Sequence, residues 1–130
     1  MTGEIILIVE DEGLIALHLT EMLEKRGYRI YDPVPSGEKV LEQLGKSPLP
    51  DLILMDIGLA GSLDGIETAR LIKLQFLLPL IFVTAYTSER FLERIREVEP
   101  EGVITKPFDD REFLTLIRSV LDSRQAEAPQ

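Results

Sequence analysis

Asp51-Leu52-Ile53-Leu54-Met55-Asp56 is a nearly continuous apolar run of strand length that ends on a carboxylate and opens into a glycine-bearing loop. The apolar residues between the two acids show no alternation, so both faces of this strand must be covered, as in a parallel sheet flanked by helices. In such sheets ligands bind outside the carboxyl ends of the strands. Asp56 stands at that end, and what matters next is which other segments reach the same edge.

Upstream, residues 4–9 (EIILIV) form a second apolar strand that runs straight into Glu10-Asp11-Glu12. From Glu12 to Arg26 the pattern turns helical: Ile15, Ala16, Leu19, Met22 and Leu23 share about a third of the circumference at the 3.6-residue period, and Gly27 supplies the stop. Arg29 to Tyr31 is short and β-like and is ended by Pro33 and Pro35. Ser36 then caps a helix to about Lys46 with Val40, Leu41 and Leu44 inward.

Downstream, the loop Gly58-Leu59-Ala60-Gly61-Ser62-Leu63-Asp64-Gly65 leads into a helix from Asp64 to Leu74 that turns Ile66, Ala69 and Ile72 inward. Residues 80–84 (LIFVT) make a strand ending in a hydroxyl. Thr87 or Ser88 caps the next helix, where Phe91, Leu92, Ile95 and Val98 face the core until Pro100, and the Glu/Arg alternation from 89 to 99 predicts a solvated face. A short strand, residues 102–105, ends in Lys106-Pro107. Asp109 with Glu112 makes a capping box for the last helix, with Phe113, Leu114, Ile117, Val120 and Leu121 as its stripe. The pattern is five strands alternating with five helices, and right-handed crossovers make that an α/β doubly wound parallel sheet.

The 130 residues, 45% hydrophobic and 28% charged, suit one domain over 1–122 with a core that needs no staple, followed by a disordered tail over 123–130. The absence of cysteine excludes a disulfide framework and thiolate metal sites and fits a reducing cytoplasm. No basic segment opens the chain, and its longest apolar stretch, 76–85, is broken by Pro79 and far short of a membrane span. A formal charge of −9 argues against direct binding of nucleic acid.

Four strand ends therefore carry groups that can act together on one rim: Glu10 with Asp11, Asp56, Thr84 and Lys106. Clustered carboxylates repel and tend to hold protons unless a cation neutralises them. A hard divalent ion with oxygen ligands, Mg²⁺ foremost, suits the cluster and keeps positions for water and a phosphoryl oxygen.

The acidic pair after the first strand, then LILMD, DGIE, FVTAY and ITKPF in that order, resemble the receiver domain of two-component response regulators over about residues 4–121. The resemblance implies a flavodoxin-like fold with strand order 2-1-3-4-5, and a phosphorelay switch rather than an enzyme. It makes Asp56 the phosphoacceptor, charged by a histidine kinase or a histidine phosphotransfer protein. Glu10, Asp11, Asp56 and the backbone carbonyl of Gly58 would hold Mg²⁺ (or Mn²⁺), with Glu10 acting through a water. Thr84 would bond the phosphoryl group and Lys106, on a cis bond to Pro107, would pair with it. An unknown downstream protein would read the change, and phosphorylation could drive homodimerisation. The helix of His18 would be a docking face, with Leu14 and Leu17 on its outer side.

The chain departs from the family pattern at three places. Ala60-Gly61 replace the usual proline and glycine, and the loop to Asp64-Gly65 is one residue longer. Val103 stands where many receivers carry an aromatic that moves with the Thr84 position, and Tyr86 is the candidate to take over part of that switch role. His18, the only histidine, has no second ligand in view and reads as a surface residue. Two other classes fit less well. A haloacid dehalogenase phosphatase needs an aspartate where Gly58 stands, and a flavodoxin needs a phosphate loop after the first strand. The alternative within the family is a degenerate receiver that binds partners without phosphate.

Overall fold

The computed structural model describes residues 3–46, 48–59, 61, 63–85 and 88–127. Among them, β1 (Ile5–Val9), β2 (Arg29–Ile30), β3 (Leu52–Met55), β4 (Leu80–Thr84) and β5 (Gly102–Thr105) pair in parallel in the order β2-β1-β3-β4-β5. Between and after them run α1 (Gly13–Glu24), α2 (Gly37–Leu44), α3 (Gly65–Gln75), α4 (Glu89–Val98) and α5 (Asp110–Glu127). This is the doubly wound sheet expected from the apolar strands.

Every residue of β3 is buried, and the strands divide their side chains between two cores. Leu7, Val9, Ile53, Met55 and Phe82 pack under Val40 of α2, Ile66, Ala69 and Ile72 of α3, and Ile95 and Val98 of α4. Ile6, Ile8, Leu52, Leu54, Ile81 and Val83 pack under Leu19 and Leu23 of α1 and Phe113, Ile117 and Leu121 of α5. With both faces covered, a strand gains nothing from a polar alternate, and each fully buried aliphatic or aromatic side chain contributes about 1.5–3 kcal/mol.

Register sets the chemistry of the edge. Val9 pairs with Met55, so Glu10 and Asp56 leave the sheet side by side, and the Asp56 N–H donates to the Val9 carbonyl at 3.0 Å. Thr84 pairs with Thr105, and the Lys106 N–H donates to the Thr84 carbonyl at 2.9 Å. The Lys106–Pro107 peptide bond is cis.

Local signals place the helices as expected at two N-termini: Ser36 Oγ accepts from the Lys39 N–H at 3.3 Å, and Asp64 Oδ1 accepts from the Glu67 N–H at 2.8 Å. Gly27, after α1, has a φ of 91°, which suits the glycine read there as the stop. Ser88 precedes α4 but its side chain makes no capping bond, and Thr87 lies outside the described residues.

Two expectations are corrected. The last helix does not give way to a tail at 123 but continues to Glu127, and within this stretch Arg124 Nη1 donates to the Asp51 carbonyl at 2.9 Å and pairs with its carboxylate at 3.3 Å. Residues 128–130 lie outside the described residues. Nor is the charged face of α4 wholly solvated: Arg94 leaves it to pair with Asp64 at 2.8 Å.

Gly65 is where α3 meets the end of β3. A Cβ there would overlap the Asp56 carbonyl oxygen and come within 2.7 Å of Ile57 Cα, both backbone atoms that cannot step aside. Gly65→Ala is expected to lower stability by about 2–3 kcal/mol, the cost of overpacking that moves backbone, as read from urea midpoints. Gly45→Ala, where a Cβ would meet only the Glu42 and Leu41 carbonyls at 3.6 and 4.0 Å, should stay within about 0.5 kcal/mol of the parent. Equal losses at both positions would refute the close approach.

Candidate functional site

The rim at the carboxyl ends of β1, β3, β4 and β5 gathers Glu10, Asp11, Asp56, Thr84 and Lys106, the set expected from sequence. Carboxylate oxygens of Glu10, Asp11 and Asp56 lie within 4.8 Å of one another. Glu10 and Asp56 are 4% and 7% exposed, whereas Asp11 is open to solvent. The strand register, not the loops, buries the first two, because each directly follows a buried strand residue.

Lys106 answers their charge. Its Nζ lies 2.9 Å from Glu10 Oε1 and 3.7 Å from Asp56 Oδ1, so the close partner is Glu10 rather than the expected phosphoacceptor. Glu10 Oε2 accepts from the Glu12 N–H at 3.2 Å, a backbone donor at the start of α1 with no signature in a side-chain pattern. Glu10 is thereby held from two directions. Asp56 is less well compensated: burial first, and then the neighbouring Glu10 charge, push its carboxyl up to about 6, against the opposing pull of Lys106 and of a bond from the Gly58 backbone.

Thr84 is 1% exposed at the end of β4. Gly58 stands in the turn after Asp56, where the Leu59 N–H donates to the Ile57 carbonyl at 3.0 Å. Val103 is 41% exposed on β5, and Tyr86 lies outside the described residues. His18 stays on the surface, 3.8 Å from Asp110 with both side chains well exposed, and Leu14 and Leu17 project outward as expected.

Three oxygen-bearing acids around one point, two of them buried and one raised by that burial and by the charge of Glu10, make a cradle for a hard cation, and the ammonium beside them suits a dianionic group. Sequence reasoning missed the Glu12 backbone donor and the Asp64–Arg94 pair. The first carries no residue-type signal, and the second joins residues 30 apart that nothing in the pattern links.

A doubly wound sheet in this strand order, with an acidic edge closed by a lysine, is the build of a signal receiver domain. The family model for the response regulator receiver domain matches residues 6–118, and the chain belongs to that family. It is 33% identical over 112 residues to the transcriptional regulatory protein PdtaR of Mycobacterium tuberculosis, covering 86% of this chain and 54% of the relative. It is 36% identical over 121 residues to the phyllosphere-induced regulator PhyR of Methylorubrum extorquens, covering 93% and 45%. The chain thus spans about half the length of the curated relatives it matches. Among solved structures, the N-terminal domain of a response regulator/sensory box/GGDEF 3-domain protein from Carboxydothermus hydrogenoformans superposes with a TM-score of 0.86 at 35% identity, covering 95% of this chain and 98% of that one.

The raised Asp56 carboxyl makes a signed prediction for the protein without metal. Folding lifts it from an ordinary 3.8 to about 6, so in that window the folded state holds a proton the unfolded state has lost, and stability falls as pH rises through it. Asp56→Asn carries no such penalty. It should be more stable than the parent at pH 7.5 by up to about 3 kcal/mol, with the difference gone by about pH 4, in urea melts with chelator present. A difference that does not change with pH would contradict the burial argument.

Proposed function

We propose that this receiver domain is a phosphorylation switch in which Asp56 accepts a phosphoryl group from a phosphohistidine donor, a histidine kinase or a histidine phosphotransfer protein, in the cytoplasm. The observation that carries the reading is the convergence of Lys106 Nζ on Glu10 and Asp56, at 2.9 and 3.7 Å, beside three carboxylates within 4.8 Å. In the reaction a carboxylate oxygen of Asp56 bonds to phosphorus while the bond from phosphorus to the donor's imidazole nitrogen breaks, leaving an acyl phosphate and a neutral histidine once it regains a proton.

Each residue has a part that follows from its place. Asp56 must be ionised to attack, and Lys106 favours that form and offers an ammonium to the transferring oxygens. Thr84, buried at the end of the adjacent strand, supplies a hydroxyl for the phosphoryl group. Glu10, Asp11, Asp56 and the Gly58 carbonyl would hold Mg²⁺ or Mn²⁺, which, when bound, supplies positive charge to offset the cluster and the phosphoryl oxygens. The incomplete compensation of Asp56 supports that fit. The exposed Leu14 and Leu17 of α1 offer the donor an apolar footing near this rim. A partner protein reads the altered surface as a shift between two states of the domain.

Intact-mass measurement after incubation with acetyl phosphate and Mg²⁺ is expected to show the gain of one phosphoryl group, absent in Asp56→Asn and absent with chelator. Lys106→Ala should slow uptake on the order of a hundredfold. A protein that never gains the group under these conditions would instead be a phosphate-independent binding module. Val103→Tyr, a change to an exposed strand position remote from the acids in sequence, should leave uptake within about twofold; a large loss would show that Val103 bears on the chemistry itself.

A further inference from the structure

Helix α4 is lightly held. Its buried side chains are Ile95 and Val98, with Phe91 and Leu92 packed only in part. Among the described residues it makes one ion pair with another element: Arg94 Nη2 donates to Asp64 Oδ2 at 2.8 Å, the two side chains 33% and 35% exposed. The guanidinium also lies 5.9 Å from the centre of the Phe91 ring.

Asp64 is committed on several sides. Its Oδ1 caps α3 through the Glu67 N–H at 2.8 Å, and its carbonyl accepts from the Thr68 N–H at 3.0 Å and the Thr68 hydroxyl at 2.8 Å. The next residue, Gly65, lies against the Asp56 carbonyl without room for a Cβ, and its N–H donates to the Ile57 carbonyl at 2.8 Å. A close backbone approach at Gly65 and a charged hydrogen bond at Asp64 thus link the backbone of Asp56 and Ile57 to Arg94.

We infer that the Asp64–Arg94 pair is the tie through which α4 and the backbone around Asp56 bias each other, making Arg94 a positioning residue for the turn that carries Gly58. The tie stands on the geometry of the unmodified protein. Only what pulls on it, phosphorylation of Asp56, rests on the function proposed above. Coupling of this kind is reciprocal in binding free energy: whatever captures α4 changes the site, and whatever changes the site changes the hold on α4.

Hydrogen exchange read by mass spectrometry on the whole chain, without metal, tests the tie in both directions. Asp64→Asn keeps a good N-cap but removes the charge, and Arg94→Gln removes the other partner. Both should speed exchange of the α4 amides on the order of threefold, the scale of a half-exposed ion pair. Arg94→Gln should also speed exchange at Leu59 and Gly65, whose N–H groups bond the Ile57 carbonyl, with Arg94→Lys intermediate and α1 unchanged. Faster exchange in α4 alone would make the pair a local staple and overturn the inference, as would no change anywhere. In a second arm, acetyl phosphate and Mg²⁺ are added and the adduct followed by mass. Exchange in α4 should then change in the parent and not in Arg94→Gln; an equal response in both overturns the tie. A parent that forms no adduct refutes the phosphoacceptor reading, while the first arm still decides the tie.

Discussion

The constraint everything else answers to is the burial of two acids side by side. Parallel pairing of Val9 with Met55 leaves Glu10 and Asp56 adjacent and almost without water. In a medium of low effective dielectric, like charges at this separation cost several kcal/mol unless something opposes them. Lys106 opposes them, arriving on a chain path 96 residues from Glu10, and two backbone N–H groups, those of Glu12 and Gly58, add to it. The compensation is uneven. Glu10 takes the short contact, and burial and the Glu10 charge raise the Asp56 carboxyl to about 6, so Asp56 is the member of the pair more in need of added positive charge.

The rest of the fold makes this imbalance tolerable. Strands apolar on both faces lock the register through two cores, so the acids cannot relax outward by slipping a residue. Gly65 then closes the turn after β3 from behind, the Asp56 carbonyl oxygen and Ile57 Cα filling the space that a side chain on it would need. A site that is unfavourable in isolation persists because the sheet over-determines where its groups stand.

That division explains what could be read from the chain without coordinates. Burial on both faces of β3 follows from Leu52 to Met55 having no polar alternate, and the carboxyl-end rim follows from parallel order, so Glu10, Asp11, Asp56, Thr84 and Lys106 were legible as a group. Lengths of terminal elements were not. Residues 123–127 lack an apolar stripe and look like a tail, yet Arg124 anchors that turn of α5 to Asp51 through a contact 73 residues distant. Likewise the alternating Glu and Arg of α4 read as solvated, because a pattern along one helix contains no information about an acid, Asp64, on another. Which of two carboxylates Lys106 prefers also depends on distances of under an ångström, which spacing cannot supply.

Val103 gives the tie between α3 and α4 its place in the molecule. Many members of this family carry an aromatic at that strand position, a long lever that can swing between the interior and solvent. A valine has neither the reach nor the freedom, since branching at Cβ leaves χ1 with few states. Here it sits 41% exposed on the edge strand, an unpromising element for relaying a change at Thr84. In the switch proposed above, communication away from Asp56 would travel through contacts that do not need such a lever. The run from the Asp56 carbonyl through Gly65 and Asp64 to Arg94 is made of backbone packing and one charged hydrogen bond, the route by which the inferred tie would carry a small displacement of the turn to the α3 N-terminus and on to α4. The short side chain on β5 and the charged clasp on α4 are in this sense one arrangement: what the first cannot pass on, the second can.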